Sequence, residues 1–307
     1  MWMLSSGIFL GWTLGSNDAA NIFGTGVAAK IIKYRTAVIL IALFVVLGAV
    51  AEGEKCFSTL GNLSTLTPQS SFWTALAAGI TMFVLTYLAL PCSTSQAIIG
   101  AISGAGIVSG MADFSRLYKI AACWVLSPIS AIIISFMLYH LIGLIFGRYI
   151  ASPQKRSFFI FWGLISAGSF GAYALGSNNV ANVSGIYVSA GLLTPFEGAL
   201  IGGLSISSGV LTYSKKVMAT VGKEITRLDE YAAFISVLSA AITVEIFTQV
   251  GVPVSTSQAI VGAVVGVGLV KGASTINKRI VIEIAFGWAS TPIMAGILSY
   301  AFLTLFM

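Results

Sequence analysis

The chain carries one pattern twice. The segment LGSNDAANIFGTGVAAKII at Leu14–Ile32 returns as LGSNNVANVSGIYVSAGLL at Leu175–Leu193. PCSTSQAIIGA at Pro91–Ala101 returns as PVSTSQAIVGA at Pro253–Ala263, and WVLSPISA at Trp124–Ala131 matches WASTPIMA at Trp288–Ala295. Three blocks in one order, at a nearly constant offset of roughly 160 residues, mark an internal repeat. The chain reads as two homologous halves, repeat 1 over residues 1–150 and repeat 2 over residues 157–307, joined near Ala151–Ser157.

Each half has the same organisation. An apolar segment is interrupted at G-S-N-(D/N) and resumes (Trp2–Lys30; Phe158–Leu193), with Gly15 and Gly176 expected to tolerate a break in the helix. A span follows (Thr36–Gly53; Phe196–Tyr213). An apolar helix then ends at Pro91 or Pro253, Ser-Thr-Ser-Gln opens a shorter one, and a long span closes the half (Ile120–Gly147; Ile280–Phe306). Composition says where such segments live: 57% of residues are hydrophobic, 8% are charged, and mean hydropathy is +0.96. A soluble domain carries about 25% charged residues. The expectation is an all-α integral membrane protein in the lipid bilayer. An ordinary globular enzyme and a nucleic-acid partner are excluded. Met1–Leu14 has no basic leader and no small-residue cleavage site, so it reads as part of a mature span. Cys56, Cys92 and Cys123 have no paired spacing, and the lone His140 cannot build a histidine metal site.

The position of the charges sets the topology. If the two helices flanking each STSQ form a re-entrant hairpin, each half crosses three times and the second half is inverted. All of the 16 Lys and Arg except Lys55, Arg116 and Lys119 then fall on one side. The positive-inside rule makes that side cytoplasmic and places both termini outside the cell. The fold class is therefore two inverted-topology repeats with broken helices and re-entrant helical hairpins.

Two motifs carry the chemistry. Pro91 and Pro253 disfavour helix before them, Ser93 and Ser255 are natural N-caps, and Gln96 and Gln258 stand three residues on, as in a capping box. A helix start at membrane depth presents free N–H groups and the positive end of the dipole, an anion site needing no Lys or Arg. The small hydroxyls of Ser93, Thr94, Ser95, Ser255, Thr256 and Ser257 let anion oxygens approach. In the second motif Asn17 and Asn21, and likewise Asn178 and Asn182, share a helix face at i, i+4. Asp18 is an intramembrane carboxylate, while Asn179 stands at its matched position, so the site has one carboxylate rather than two. Asp18 beside an anion must be neutralised by a proton or a bound cation. Carboxylate, amide and hydroxyl oxygens suit a hard cation such as Na⁺. Cation and anion in one site bind cooperatively, the basis of symport.

Other features have plainer readings. Gly100-xxx-Gly104 and Gly262-xxx-Gly266 predict close helix contacts. Glu52 and Glu54 read as interfacial carboxylates at a span end, and Glu245 as a cation ligand, a proton carrier or a residue facing a polar cavity. Lys55 and Lys216 stand at matched positions, one near each mouth.

GSNDAAN, its second copy and the duplicated P-x-S-T-S-Q resemble the PiT family of inorganic phosphate transporters. The stretch TVGKEITRLD at Thr220–Asp229 is similar to the family's too. The resemblance implies a sodium- or proton-coupled symporter with inorganic phosphate and sodium ions held between the halves. It puts Asp18 and the signature residues Asn17, Asn21, Asn178 and Asn182 at the site, with Ser93, Thr94, Ser255 and Thr256. This chain departs from the family at Asn179, where many members have Asp, and at Gln96 and Gln258, where many have His. Residues and resemblance together assign Ser93, Thr94, Ser95, Ser255, Thr256, Ser257, Asn17 and Asn178 to phosphate. They assign Asp18, Asn21, Asn179, Asn182, Gln96 and Gln258 to Na⁺. The reading is a sodium-coupled phosphate symporter with Na⁺ as coupling ion and no other cofactor. Proton coupling, a sulfate substrate and an anion channel are the alternatives. An enzyme would need a catalytic cluster that the sequence does not offer. Small-residue faces permit a homodimer without demanding one.

Overall fold

The computed structural model describes residues 2–61, 63, 66–88, 92–110, 114–150, 152–215, 217–218, 228–272 and 276–307. Pro91, Ala151, Lys216 and the stretch from Thr220 to Arg227, with Lys223, lie outside the described residues, as do the side chains of Arg116 and Lys278. The helices are α1 (Ser5–Asn17), α2 (Ala20–Ala28), α3 (Tyr34–Glu52), α4 (Glu54–Gly61), α5 (Pro68–Tyr87), α6 (Thr94–Ser109) and α7 (Phe114–Tyr149) from the first half. The second half supplies α8 (Pro153–Ser189), α9 (Pro195–Tyr213), α10 (Glu230–Val250), α11 (Thr256–Lys271) and α12 (Lys278–Phe306). Among the described residues, 6 helices are long and apolar enough to cross a membrane, while Thr94–Ser109 and Thr256–Lys271 are shorter.

Local chemistry sets the helix starts. Thr67 and Thr194 close capping boxes ahead of Pro68 and Pro195, and Asp229 and Asn277 accept the first-turn N–H groups of Ala232 and Ile280. At the end of α10, Gly251 takes φ 76°, a left-handed turn that a residue with a Cβ rarely adopts, and the chain reverses there.

That reversal makes a hairpin. Lys271 ends α11 and its ammonium donates to Asp229, the cap of α10, at 2.6 Å. Both ends of the helix pair therefore lie together, and its tip points the other way. The tip meets Asn178, in the interior of α8, about 15 Å from that helix's nearer end at 1.5 Å per residue. Asp18, which meets the other tip, lies about as far from the end of α2.

Contacts recur at matched positions of the two halves. The tip helix of each half packs on the closing span of the other. A Cβ added at Gly100 would lie 2.2 Å from the Pro292 carbonyl oxygen, and one at Gly262 would lie 2.4 Å from that of Pro128. The close helix contacts expected of these glycines are present.

Two expectations change. The helix through the first motif is interrupted at Asp18–Ala19, where the N–H groups of both residues turn to the Leu14 carbonyl, but α8 runs unbroken through the second motif. Gly15 and Gly176 do not make breaks. A Cβ at Gly176 would lie 2.1 Å from the Val45 carbonyl oxygen, and one at Gly15 would lie 1.9 Å from that of Ile206, so each glycine lets two helices touch. The span expected over Thr36–Gly53 ends at Glu52, and the chain turns at Gly53 into α4. Glu52 lies beside the second tip, accepting from Lys55 at 3.0 Å and from Gln249, near the end of α10, at 2.9 Å.

Candidate substrate and ion site

The two hairpin tips brace each other. The Ser95 hydroxyl donates to the Val254 carbonyl at 2.9 Å, and the Ser257 hydroxyl donates to the Cys92 carbonyl at 2.7 Å. These two bonds are matched across the halves, and Ser93, Thr94, Ser95, Ser255, Thr256 and Ser257 are all buried. Ser93 accepts from the Gln96 N–H at 3.3 Å and Ser255 from that of Gln258 at 3.2 Å. Half of each expected capping box is therefore present. The Gln96 and Gln258 side-chain oxygens have no partner among the described residues.

Asn17 and Asn178 stand behind the tips rather than in front of them. Asn178 accepts from the Val254 N–H at 2.8 Å and donates to Thr248 and to the Val252 carbonyl, both at 3.1 Å. Asn17 mirrors it, accepting from the Cys92 N–H at 3.4 Å and donating to Thr86 at 3.0 Å. Both polar ends of each amide tie a hairpin tip to the helix that carries the motif. In this arrangement both amides bind the tips, and their contact with phosphate stays an expectation.

Asp18 and Asn179 face the helix starts. The Asp18 carboxylate accepts from the Thr94 N–H at 3.1 Å, so a formal negative charge sits on the positive end of α6. Asn179 donates to the Thr256 hydroxyl at 3.3 Å and accepts from Ser95 at 3.2 Å and from Asn182 at 2.9 Å. All four residues Asp18, Asn21, Asn179 and Asn182 are at most 1% exposed. The structure thus gathers every predicted site residue at one crossing of α1–α2, α8 and the two tips.

The sequence reasoning passed over a polar cluster beside the second tip. Gln249 donates to both Glu52 and Glu245, and Lys55 donates to Glu52 and Gln249. Tyr173 also hydrogen-bonds Glu52. The matched positions of Glu245, Glu52 and Tyr173 in the other half are Phe83, Tyr213 and Trp12. Trp12 packs there against the other two at ring-centroid distances of 6.2 and 5.6 Å. Pairing Glu245 with Glu52 required the fold.

Two helical hairpins that meet tip to tip around one buried carboxylate, in a chain with 6 described helices long and apolar enough to cross a membrane, point to a multi-pass membrane transporter rather than an enzyme. Comparison with known proteins makes the class specific: the chain belongs to the phosphate transporter family, whose model matches residues 14–299. A candidate phosphate permease of Methanocaldococcus jannaschii is 32% identical over 295 residues, covering 95% of this chain and 93% of that protein. The sulfate permease CysP of Bacillus subtilis is 29% identical, covering 98% of this chain and 86% of that protein. A solved structure named as the sodium-dependent phosphate transporter superposes with a TM-score of 0.85 over 100% of both chains, at 24% identity. At that identity the likeness establishes the fold.

Proposed function

We propose that the protein is a sodium-coupled symporter of inorganic phosphate that works by alternating access. Repeats 1–150 and 157–307 lie inverted in the bilayer, with both termini outside, and rock against each other around the fixed site. Phosphate sits between the starts of α6 and α11, among Ser93, Thr94, Ser95, Ser255, Thr256 and Ser257, with Asn17 and Asn178 holding the tips. Na⁺ lies against Asp18, with Asn21, Asn179, Asn182, Gln96 and Gln258 around it. The observation that carries the reading is the Asp18 carboxylate on the Thr94 N–H. A helix start built for an anion is occupied by the protein's own anion. A cation that draws Asp18 away frees that N–H for the substrate.

The similarity to a sulfate permease favours a second reading, sulfate as substrate. Near neutral pH phosphate keeps O–H donors and sulfate has none, so competition by sulfate separates the two readings.

The test is uptake of labelled phosphate into proteoliposomes, with and without an inward Na⁺ gradient at constant pH, and with sulfate as competitor. Concentrative, Na⁺-dependent phosphate uptake that sulfate does not block supports the reading. Uptake driven only by a pH gradient moves the coupling to protons, and uptake of sulfate alone changes the substrate.

A further inference from the structure

We propose that the end of α7 carries a binding site for one anionic phospholipid, with the lipid phosphate held by Arg148 and an acyl chain lying over Gly143 and Gly147.

The site is a groove of about 600 Å³ lined by Tyr139, His140, Gly143, Leu144, Gly147 and Arg148. All six stand in about the last three turns of α7, a helix long and apolar enough to cross a membrane. The two glycines make the groove. A Cβ at Gly147 would meet nothing within 4 Å, and one at Gly143 would meet only the Tyr231 hydroxyl, at 3.4 Å. Gly100 and Gly262 press on other helices, whereas these two face open space. Leu144 is 72% exposed beside them, so the groove opens to whatever surrounds the helix, which for an apolar span is lipid. His140, Leu144 and Arg148 follow at i, i+4 and i+8 on one side of α7, and the groove runs about 12 Å between its two polar ends. An imidazole and a guanidinium are poorly served by hydrocarbon alone. They suit the ester and phosphate oxygens of a lipid, and a guanidinium fork matches a phosphate with two parallel hydrogen bonds.

Charge selects an anionic lipid. Between Asp113 and Glu197 the chain has no Asp or Glu, while Arg148, Lys155 and Arg156 gather at the turn from α7 to α8. Arg156 is occupied, donating to the Ile150 carbonyl at 2.7 Å and the Phe146 carbonyl at 3.5 Å. Arg148 has no acidic partner among the described residues, and its guanidinium lies 5.7 Å from the centre of the Tyr149 ring. On α10, which meets this stretch through Tyr231, Asp229 is paired with Lys271, and Glu230 makes no ion pair among the described residues. Tyr149, Phe158 and Trp162 are exposed nearby in sequence, the mixture of basic and aromatic side chains that marks a membrane–water interface. The groove also borders a contact between the halves. The Tyr231 hydroxyl donates to the Tyr139 carbonyl at 2.7 Å, and its ring meets those of Tyr139 and Phe146 at 4.9 and 5.7 Å. A lipid lodged there braces α7 of the first half against α10 of the second.

The test is thermal unfolding of the purified protein in phosphatidylcholine nanodiscs carrying increasing fractions of phosphatidylglycerol with the same chains. Phosphatidylglycerol should stabilise the wild type saturably, and native mass spectra should retain one such lipid per chain. Arg148→Gln should raise the half-effective phosphatidylglycerol fraction about fivefold, the loss of one basic contact with an anionic headgroup. Arg148→Lys should recover part of that loss. Gly147→Leu, whose side chain enters open space, should fold and lose the preference because it fills the groove. Arg35→Gln, which removes an exposed cation outside the groove, should keep the preference. Equal stabilisation of the wild type by the two lipids overturns the proposal. So does a full preference in Arg148→Gln or Gly147→Leu, or a loss in Arg35→Gln as large as in Arg148→Gln. A Gly147→Leu protein that changes oligomeric mass also overturns it, because the groove then belongs to a second copy of the chain.

Discussion

Replacing Gly176 by alanine gives opposite results under two accounts of that residue. If the glycine only loosened the helix, alanine would stabilise α8 by about 1 kcal/mol through its better helix propensity. The structure gives it another duty. An added Cβ would meet the Val45 carbonyl oxygen at 2.1 Å and the Val45 carbonyl carbon at 2.8 Å, where ordinary contact begins at 3.4 Å. The obstacle is helix backbone, which cannot swing aside as a side chain can, so α3 and α8 must part by about 1 Å. Overpacking of this kind costs about 1–3 kcal/mol, enough to outweigh the propensity gain. The same separation displaces Asn178 and Asn179, so uptake should fall at least about tenfold, since misplacement near 1 Å is felt strongly in a positioned site. The assay is thermal unfolding of the purified protein beside Gly147→Ala, whose added Cβ meets nothing within 4 Å. Gly147→Ala should be neutral or slightly stabilising. Gly176→Ala should lose several degrees, at roughly 2–4 °C per kcal/mol. A Gly176→Ala protein as stable as its parent would refute the close-contact account.

Three further outcomes follow from the geometry. Asp18→Asn should abolish sodium dependence of uptake while leaving the protein folded, which a Na⁺ titration of uptake and a thermal melt check together. Asn178→Ala strips partners from the Val254 N–H and the Val252 carbonyl, a loss of about 2–3 kcal/mol, and should lower maximal uptake more than apparent substrate affinity. At the hairpin base, burial acts to raise the Asp229 carboxyl pKa, but the Lys271 hydrogen bond and the Ala232 N–H outweigh it and hold it below the ordinary 3.8. A lowered carboxylate pKa stabilises the fold above the unfolded value. The wild-type advantage over Asp229→Asn should be full at pH 7, shrink as pH falls past 3.8, and vanish below the lowered value, as read from melts across acid pH.

What the sequence reveals here depends on how local each feature is. The tips were legible because their signals are local and doubled: Ser93 and Ser255 cap helices, and the following glycines face the spans of the other half. Asp18 was legible because a carboxylate in an apolar stretch has few other reasons to be there. The bonds of Asn17 and Asn178 to the tips were not, because nothing local in a signature asparagine marks a backbone N–H partner across the molecule. The continuity of α8 was equally hidden, since GSNNVAN and GSNDAAN differ little and the distinction lies in how each helix is supported.

The arrangement also explains how an anion site manages without a basic side chain. A helix start carries about +0.5 elementary charge. Two such starts, at Thr94 and Thr256, oppose the single negative charge of Asp18, so the site is close to neutral when it holds no ion. An anion arriving first would meet no net attraction and would find the Thr94 N–H already donating to Asp18. A cation arriving first shifts the balance to about +1 and competes for the carboxylate. The anion then gains both charge and donor. Sodium should therefore bind before phosphate, and phosphate should bind weakly when sodium is absent. The reverse order, phosphate stabilising the purified protein equally well in sodium-free buffer, would mean that the helix starts alone hold the anion and that Asp18 serves another purpose.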